Sequence, residues 1–233
     1  MKRRIGLVGG SFDPIHGGHL DLGRAAESAL ALTEMIVIPA SVSPHRAPPF
    51  ASSFHRFAMV ALAVSSRPGW RASDMELQHE GPSYTSVTLS RLHELGYSPE
   101  ELFFVIGSDA FAEIASWKDY PDILNRSHFA VVSRPGGSIE QLPVRLPALA
   151  RRMVRPPHDA SSPMIFLIDG ATADVSSTAI RERLAAGRSI AGLVDARVQQ
   201  HIERHGLYAS TQPGRRAPNE EPKPAAGRLH GQS

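Results

Sequence analysis

Two histidines three residues apart, set among glycines, open the chemistry of this chain. The segment runs Gly9-Gly10-Ser11-Phe12-Asp13-Pro14-Ile15-His16-Gly17-Gly18-His19-Leu20. Residues three apart on a helical turn point to one side, so His16 and His19 would present both imidazoles to one ligand. Glycines let backbone N–H groups approach a phosphate, and a helix start adds partial positive charge. Two imidazoles there can donate hydrogen bonds to phosphate oxygens as negative charge builds. Gly9, Gly10, Ser11 and Phe12 are the corresponding backbone candidates. A dinucleotide-binding loop needs G-x-G-x-x-G, and Gly6-Leu7-Val8-Gly9-Gly10-Ser11 lacks that spacing. No Gly-Lys-Ser/Thr follows, which excludes a Walker A loop. His16 and His19 could also be read as a zinc pair, but no third and fourth ligand stands nearby at the usual spacing, so no metal site is expected. Asp13 reads either as the residue that orients the loop or a histidine, or as a turn residue before Pro14.

A second phosphate-binding candidate is Val175-Ser176-Ser177-Thr178-Ala179-Ile180-Arg181. Ser177 or Thr178 can cap a helix there. Arg181, one turn in, can pair with a triphosphate through its planar fork. The plain alternative is a capped surface helix with a solvated arginine.

The string from Gly10 to His19 resembles the signature of the nucleotidylyltransferase superfamily, whose (T/H)-x-G-H element contacts ATP phosphates. The Ser/Thr-rich helix start ending in Arg181 resembles that superfamily's second element. Four middle elements resemble the bacterial nicotinate-nucleotide adenylyltransferases within it. Ser43-Pro44-His45-Arg46 is similar to a Pro-Pro-His-Lys element, with Ser43 and Arg46 as departures. Pro82-Ser83-Tyr84-Thr85 is similar to a helix start that holds the pyridine carboxyl group, although Val87 stands where aspartate is common. Gly107-Ser108-Asp109 followed by Trp117, and Ser133-Arg134-Pro135-Gly136, complete the set. Together they span roughly Ile5 to Tyr208.

The resemblance implies adenylyl transfer from ATP to nicotinate mononucleotide, giving deamido-NAD and pyrophosphate. It implies that His16, His19 and Arg181 are catalytic, and that Gly107, Asp109, Ser177 and Thr178 join the first loop on ATP. It implies that His45, Arg46, Tyr84, Thr85, Trp117 and Arg134 bind the acceptor, with Trp117 stacking on the pyridine ring. Trp117 and Arg134 also admit readings as a core residue and a turn residue. Arg56 fits the family's second helix, or a solvated face. An acceptor phosphate is already ionised at neutral pH and needs no general base. Direct in-line displacement without a covalent intermediate is therefore expected. Mg²⁺ is the expected ion, held mostly by ATP oxygens and water. Rival readings are another phosphorylated acceptor (nicotinamide mononucleotide or phosphopantetheine) and a non-catalytic nucleotide sensor.

Positioning these residues requires alternating strands and helices, which predicts one α/β domain over residues 1–209. Its expected form is a single Rossmann-like doubly wound parallel sheet with helices on both faces. Strands are predicted at Arg4–Gly9, Met35–Ile38, Ala72–Leu77, Leu102–Ile106, Phe129–Ser133 and Met164–Ile168. Helices are predicted at Gly18–Leu30, Phe54–Val64, Tyr84–Leu95, Asp109–Ile114 and Ser177–Ala186, with a last one capped by Asp195 and ended by Gly206. The segment 210–233 is rich in Pro, Gly and charge and is expected to be disordered.

The formal net charge of +2 sits in that last segment, where Arg215, Arg216, Lys223 and Arg228 outnumber Glu220 and Glu221. The balanced remainder argues against a nucleic-acid-binding surface. No apolar run approaches ~18 residues, so no membrane partner is expected. The basic start followed by Ile5-Gly6-Leu7-Val8-Gly9 reads as a first strand rather than a signal peptide. The chain holds no cysteine, which fits a reducing cytoplasm. Nothing in the sequence fixes an oligomeric state.

Overall fold

A computed structural model describes residues 3–44, 47–79, 81–133, 139–158 and 160–209. Seven strands form one all-parallel sheet: β1 (Ile5–Gly10), β2 (Glu34–Pro39), β3 (Trp70–Ala72), β4 (Leu102–Gly107), β5 (His128–Val132), β6 (Met153–Val154) and β7 (Ile165–Ile168). Their order is β3-β2-β1-β4-β5-β7-β6. Helices α1 (Gly17–Leu30), α2 (Ser53–Val64), α3 (Thr85–Glu94), α4 (Ser108–Phe111), α5 (Leu142–Arg145), α6 (Ser177–Ala185) and α7 (Ala196–His205) join or flank them.

The strands read as nearly continuous apolar runs because a parallel sheet is buried on both faces. Successive side chains then feed opposite layers. Val8, Val37, Phe103, Val105, Ala130, Val132 and Phe166 pack with α1, α2, α6 and α7. Leu7, Ile36, Ile38, Phe104, Ile106, Phe129 and Val131 pack on the opposite face with Leu89 and Leu92 of α3, Phe111 of α4 and Leu142 of α5. This is the doubly wound architecture expected from the sequence. The strand order reverses between β1 and β4, so the loops leaving these two strands part at the sheet's carboxyl edge. In open α/β sheets that crevice is where ligands bind.

Two predicted elements are corrected. The strand expected at Ala72–Leu77 is instead Trp70–Ala72, followed by a turn in which the Leu77 and Gln78 amides donate to the Asp74 carbonyl at 2.8 and 3.2 Å. The anchor is Trp70. Its indole lies where a Cβ on Gly23 would meet it at 2.5 Å, and its Nε1 donates to Glu27 at 2.8 Å. The helix expected at Asp109–Ile114 is the four-residue α4 followed by a separate 3₁₀ turn at Ile114–Ser116. Short 3₁₀ and helical turns between Ile139 and Arg152 lead into the edge strand β6. None of these was predicted. The segment 210–233 lies outside the described residues.

Candidate active site

The loop between β1 and α1 is held in place almost atom by atom. Its backbone passes through Phe12 at φ 49°, a left-handed conformation that costs a non-glycine residue about 1–2 kcal/mol. That turn tucks the Phe12 ring into the core and edge-on to His19, with centroids 5.0 Å apart. Gly10 beneath it leaves the ring room, since a Cβ there would sit a tight 3.1 Å from it.

Asp13 is the hub. Its carboxylate is 5% exposed and accepts the amides of Phe50 and Ala51 at 2.7 and 3.0 Å and the Tyr208 hydroxyl at 2.7 Å. Burial beside this carboxylate pushes the Tyr208 phenol well above its ordinary range, so it stays a hydrogen-bond donor. The Asp13 carbonyl accepts Arg181 Nη1 at 2.8 Å. Of the two sequence readings of Asp13, the loop-orienting one fits this geometry.

Arg56 is buried, at 2% exposure, which removes the solvated-face reading. Its Nη1 donates to the carbonyls of Ser11 and Ala40 at 2.8 and 2.6 Å, and its Nη2 to that of Ser41 at 3.2 Å. Burial lowers its pKa, against the opposing pull of Asp13 and Tyr208. One guanidinium thus joins the loop after β1 to the loop after β2.

His16 is the N-cap residue of α1, and His19 lies one turn in. Their rings stack with centroids 3.7 Å apart. The His16 amide donates to His19 Nδ1 at 3.3 Å, which leaves the His19 proton on Nε2. His16 is 3% exposed and His19 is half-buried. A Cβ on Gly18 would come within 3.0 Å of the Ala173 carbonyl and 3.3 Å of the His16 ring, so only glycine lets the pair close against the 170s loop.

The second signature docks onto the first loop. The cap of α6 is Ser176, whose Oγ accepts the Ala179 amide at 3.1 Å, not Ser177 or Thr178 as predicted. Ser177 is turned toward the loop, its hydroxyl donating to the Pro14 carbonyl at 2.9 Å. Thr178 accepts Arg181 Nη2 at 3.2 Å. Arg181 also lies under the exposed Phe50 ring, 4.7 Å from its centroid. Its fork is thus partly engaged by the protein itself.

The other side of the site is lighter. The Ser83 amide donates to the Val42 carbonyl at 2.8 Å and Ser83 Oγ accepts the Ser41 amide at 2.9 Å, which ties the start of α3 to the loop after β2. Tyr84 precedes α3 and Thr85 begins it, both half-buried. The Lys118 ammonium stands 4.6 Å from the Tyr84 ring centroid. Trp117 meets Phe104 edge-on at 5.9 Å and stays partly open. Asp109 lies exposed at the start of α4, just after the buried Gly107. A small open cleft at the start of α3 is lined by Tyr84, Val87, Thr88, Arg91 and Glu76. Burial raises the Glu76 carboxyl above its ordinary range, against hydrogen bonds from Thr88 and Ser83 and the charge of Arg91. His45, Arg46 and Arg134 lie outside the described residues.

Residues 7–183 match the cytidylyltransferase-like family. A probable nicotinate-nucleotide adenylyltransferase of Roseiflexus sp. (strain RS-1) is 41% identical over 209 residues, covering 88% of this chain and 97% of the relative. A protein of the same name from Geotalea daltonii is 39% identical over 213 residues, covering 88% and 98%.

The chain belongs to the nicotinate-nucleotide adenylyltransferase family.

A solved Plasmodium falciparum nicotinic acid mononucleotide adenylyltransferase, complexed with NaAD, superposes with a TM-score of 0.67 at 20% identity, over 88% of this chain and 97% of that one. At that identity the likeness speaks for the fold. In this family member the sequence reading missed Tyr208, Phe50, Lys118 and Glu76. Only Lys118 carried a local signal, as a cation beside Trp117. The other three are brought in by tertiary contacts.

Proposed function

We propose that the chain transfers the adenylyl group of ATP to nicotinate mononucleotide, forming deamido-NAD and pyrophosphate. The observation that carries this reading is near-full-length similarity to relatives bearing that activity's name. The stacked His16–His19 pair at the strand-order reversal supports it.

An ionised oxygen of the acceptor phosphate attacks the α-phosphorus. The bond from that phosphorus to the bridging oxygen breaks, and pyrophosphate leaves with the electron pair. The protein's work is alignment and charge stabilisation. His19 offers its Nε2 proton to a phosphate oxygen, with His16 stacked behind it. Gly9, Gly10, Ser11 and Phe12 supply the loop backbone, and Ser177, Thr178 and Arg181 close the phosphate side. Gly107 and Asp109 serve the ATP ribose. His45, Arg46, Tyr84, Thr85, Trp117 and Arg134 form the acceptor side, and Lys118 adds a cation for the pyridine carboxylate.

The phosphate side offers imidazoles, amides, hydroxyls and a guanidinium, while the Asp13 carboxylate is already committed to protein donors. Such donors suit phosphate oxygens rather than a metal. Mg²⁺, when bound with the nucleotide, would be held mainly by the triphosphate oxygens and water and would offset negative charge there, while these side chains bind and orient the phosphates. We assign the activity to the cytoplasm, in keeping with the absence of cysteine.

Pyrophosphate release tests this, with Mg²⁺, ATP and one acceptor at a time. Nicotinate mononucleotide should be strongly preferred over nicotinamide mononucleotide and phosphopantetheine. Preference for another acceptor would keep the chemistry and overturn the acceptor side. ATP binding with no release from any acceptor would overturn the enzymatic reading.

A further inference from the structure

Three histidines distant in sequence meet on the seam between α2 and α7. His55 lies in the first turn of α2, while His201 and His205 are one turn apart on α7 and share a face. Ring centroids are 5.3 Å apart for His55–His201, 4.9 Å for His55–His205 and 4.5 Å for His201–His205. One nitrogen from each ring falls within 4.8 Å of the other two. His55 Nδ1 and His201 Nε2 stand 3.1 Å apart. We propose that His55, His201 and His205 form a binding site for one divalent ion of the Zn²⁺ class, which cross-links α7 to α2.

The donor set selects the ion. Imidazole nitrogen suits Zn²⁺, Co²⁺, Ni²⁺ and Cu²⁺, whereas Mg²⁺ and Ca²⁺ call for oxygen ligands. Zn–N bonds of ~2.0–2.1 Å in a tetrahedron put donor atoms about 3.3 Å apart. The closest pair already has that separation. The widest needs a contraction of about 1.5 Å, which rotation of the exposed His205 ring can supply. Without an ion, His55 and His201 share one proton along their short contact. Ligation moves that proton to the outer nitrogen of the donor ring, and both inner lone pairs then face the metal. Burial and neighbouring imidazoles hold His55 and His201 below the usual range, which favours the neutral, ligating form. The exposed His205 gives an entry path and leaves the fourth position to water.

The site would bear on the nucleotide loop without touching it. His55 precedes Arg56, which holds the Ser11 carbonyl, and α7 leads directly to Tyr208, which holds Asp13. A cross-link there stiffens both anchors. Metal binding here does not depend on which acceptor the enzyme uses and can be read without turnover.

The test uses the untagged full chain, stripped of metal with a chelator. Titration with Co²⁺ is followed by visible absorption, and titration with Zn²⁺ by the thermal unfolding midpoint. One equivalent should bind with a dissociation constant tighter than about 10 µM. The Co²⁺ form should show the strong d–d bands of a four-coordinate ion, and Zn²⁺ should raise the midpoint by several degrees. His205→Ala changes an exposed ring and should keep the metal-free midpoint while weakening affinity at least ~10-fold, and His201→Gln should weaken it as much. Binding weaker than about 10 µM in the parent would overturn the site and leave a hydrogen-bonded helix seam. Full affinity in both variants would overturn it too, by placing the ion elsewhere.

Discussion

The two sides of this crevice, proposed to hold the phosphates and the acceptor, are built by different means. On the phosphate side, a strained loop is pinned by groups drawn from distant parts of the chain: Arg56, the amides of Phe50 and Ala51, Ser177, Arg181 and Tyr208. On the acceptor side, Tyr84 and Trp117 stand half-open and Lys118 is exposed, with the Lys118 ammonium over the Tyr84 ring and Trp117 edge-on to Phe104. A site that must hold a triphosphate still while charge develops needs donors fixed in advance. A pocket that must admit a flat ring gains from surfaces left unfilled. Removing a pin of the first side should therefore damage folding and chemistry together, and breaking the second side should alter mainly acceptor recognition.

The largest effect is expected from Arg56→Met. Three buried or half-buried carbonyls lose a charged donor, so denaturant unfolding should show a loss of about 3 kcal/mol. Turnover should fall with it. Unchanged stability would mean that the two loops are not joined through this guanidinium.

His19→Ala separates chemistry from folding on the same side. Turnover should drop at least ~10²-fold, as on loss of one charge-stabilising donor, while the unfolding midpoint stays put. Near-parental turnover would remove His19 from the reaction.

Trp117→Ala probes the other side. The KM for the acceptor should rise about 5-fold, matching a stacking contact of ~1 kcal/mol, with the KM for ATP unaltered. Equal changes in both constants would show that the two sides are mechanically one.

The smallest effect is a pH dependence at Glu76. Its folded pKa is raised, so the stability tied to its protonated form is fully present below the ordinary glutamate range and is lost as pH rises through the folded value. Glu76→Gln should match the parent in acid and be the more stable protein at neutral pH. A pH–stability curve parallel to the parent's would exclude that role.

The fold was legible where the pattern of one segment decides its place. Runs such as Leu102-Phe103-Phe104-Val105-Ile106 announce strands buried on both faces, and Asp195 and Gly206 mark the ends of α7. Edge structure was not legible. The strand β3 is fixed by Trp70 reaching over Gly23, a contact between elements, and most of the segment predicted as a strand at Ala72–Leu77 is a turn. The site divides in the same way. Its loop residues form a contiguous string and could be picked out directly. Arg56, Asp13 and Tyr208 act through backbone atoms and partners up to 195 residues away, which no local spacing encodes. The cap of α6 shifted by one residue because Ser176, Ser177 and Thr178 are chemically alike, and docking against Pro14 decides among them.

The bond between Tyr208 and Asp13 bears on how the enzyme is made. The 195 positions that separate them take roughly 10–40 s to synthesise at ordinary translation speeds. During that interval the nucleotide loop has left the ribosome without its last pin, carrying a left-handed Phe12 that its neighbours must hold. The loop can take its final form only when α7 has emerged and swung Tyr208 home. On the proposed assignment, competence to grip ATP is thus among the last properties this polypeptide acquires, although the loop residues assigned to that grip are among the first to be joined.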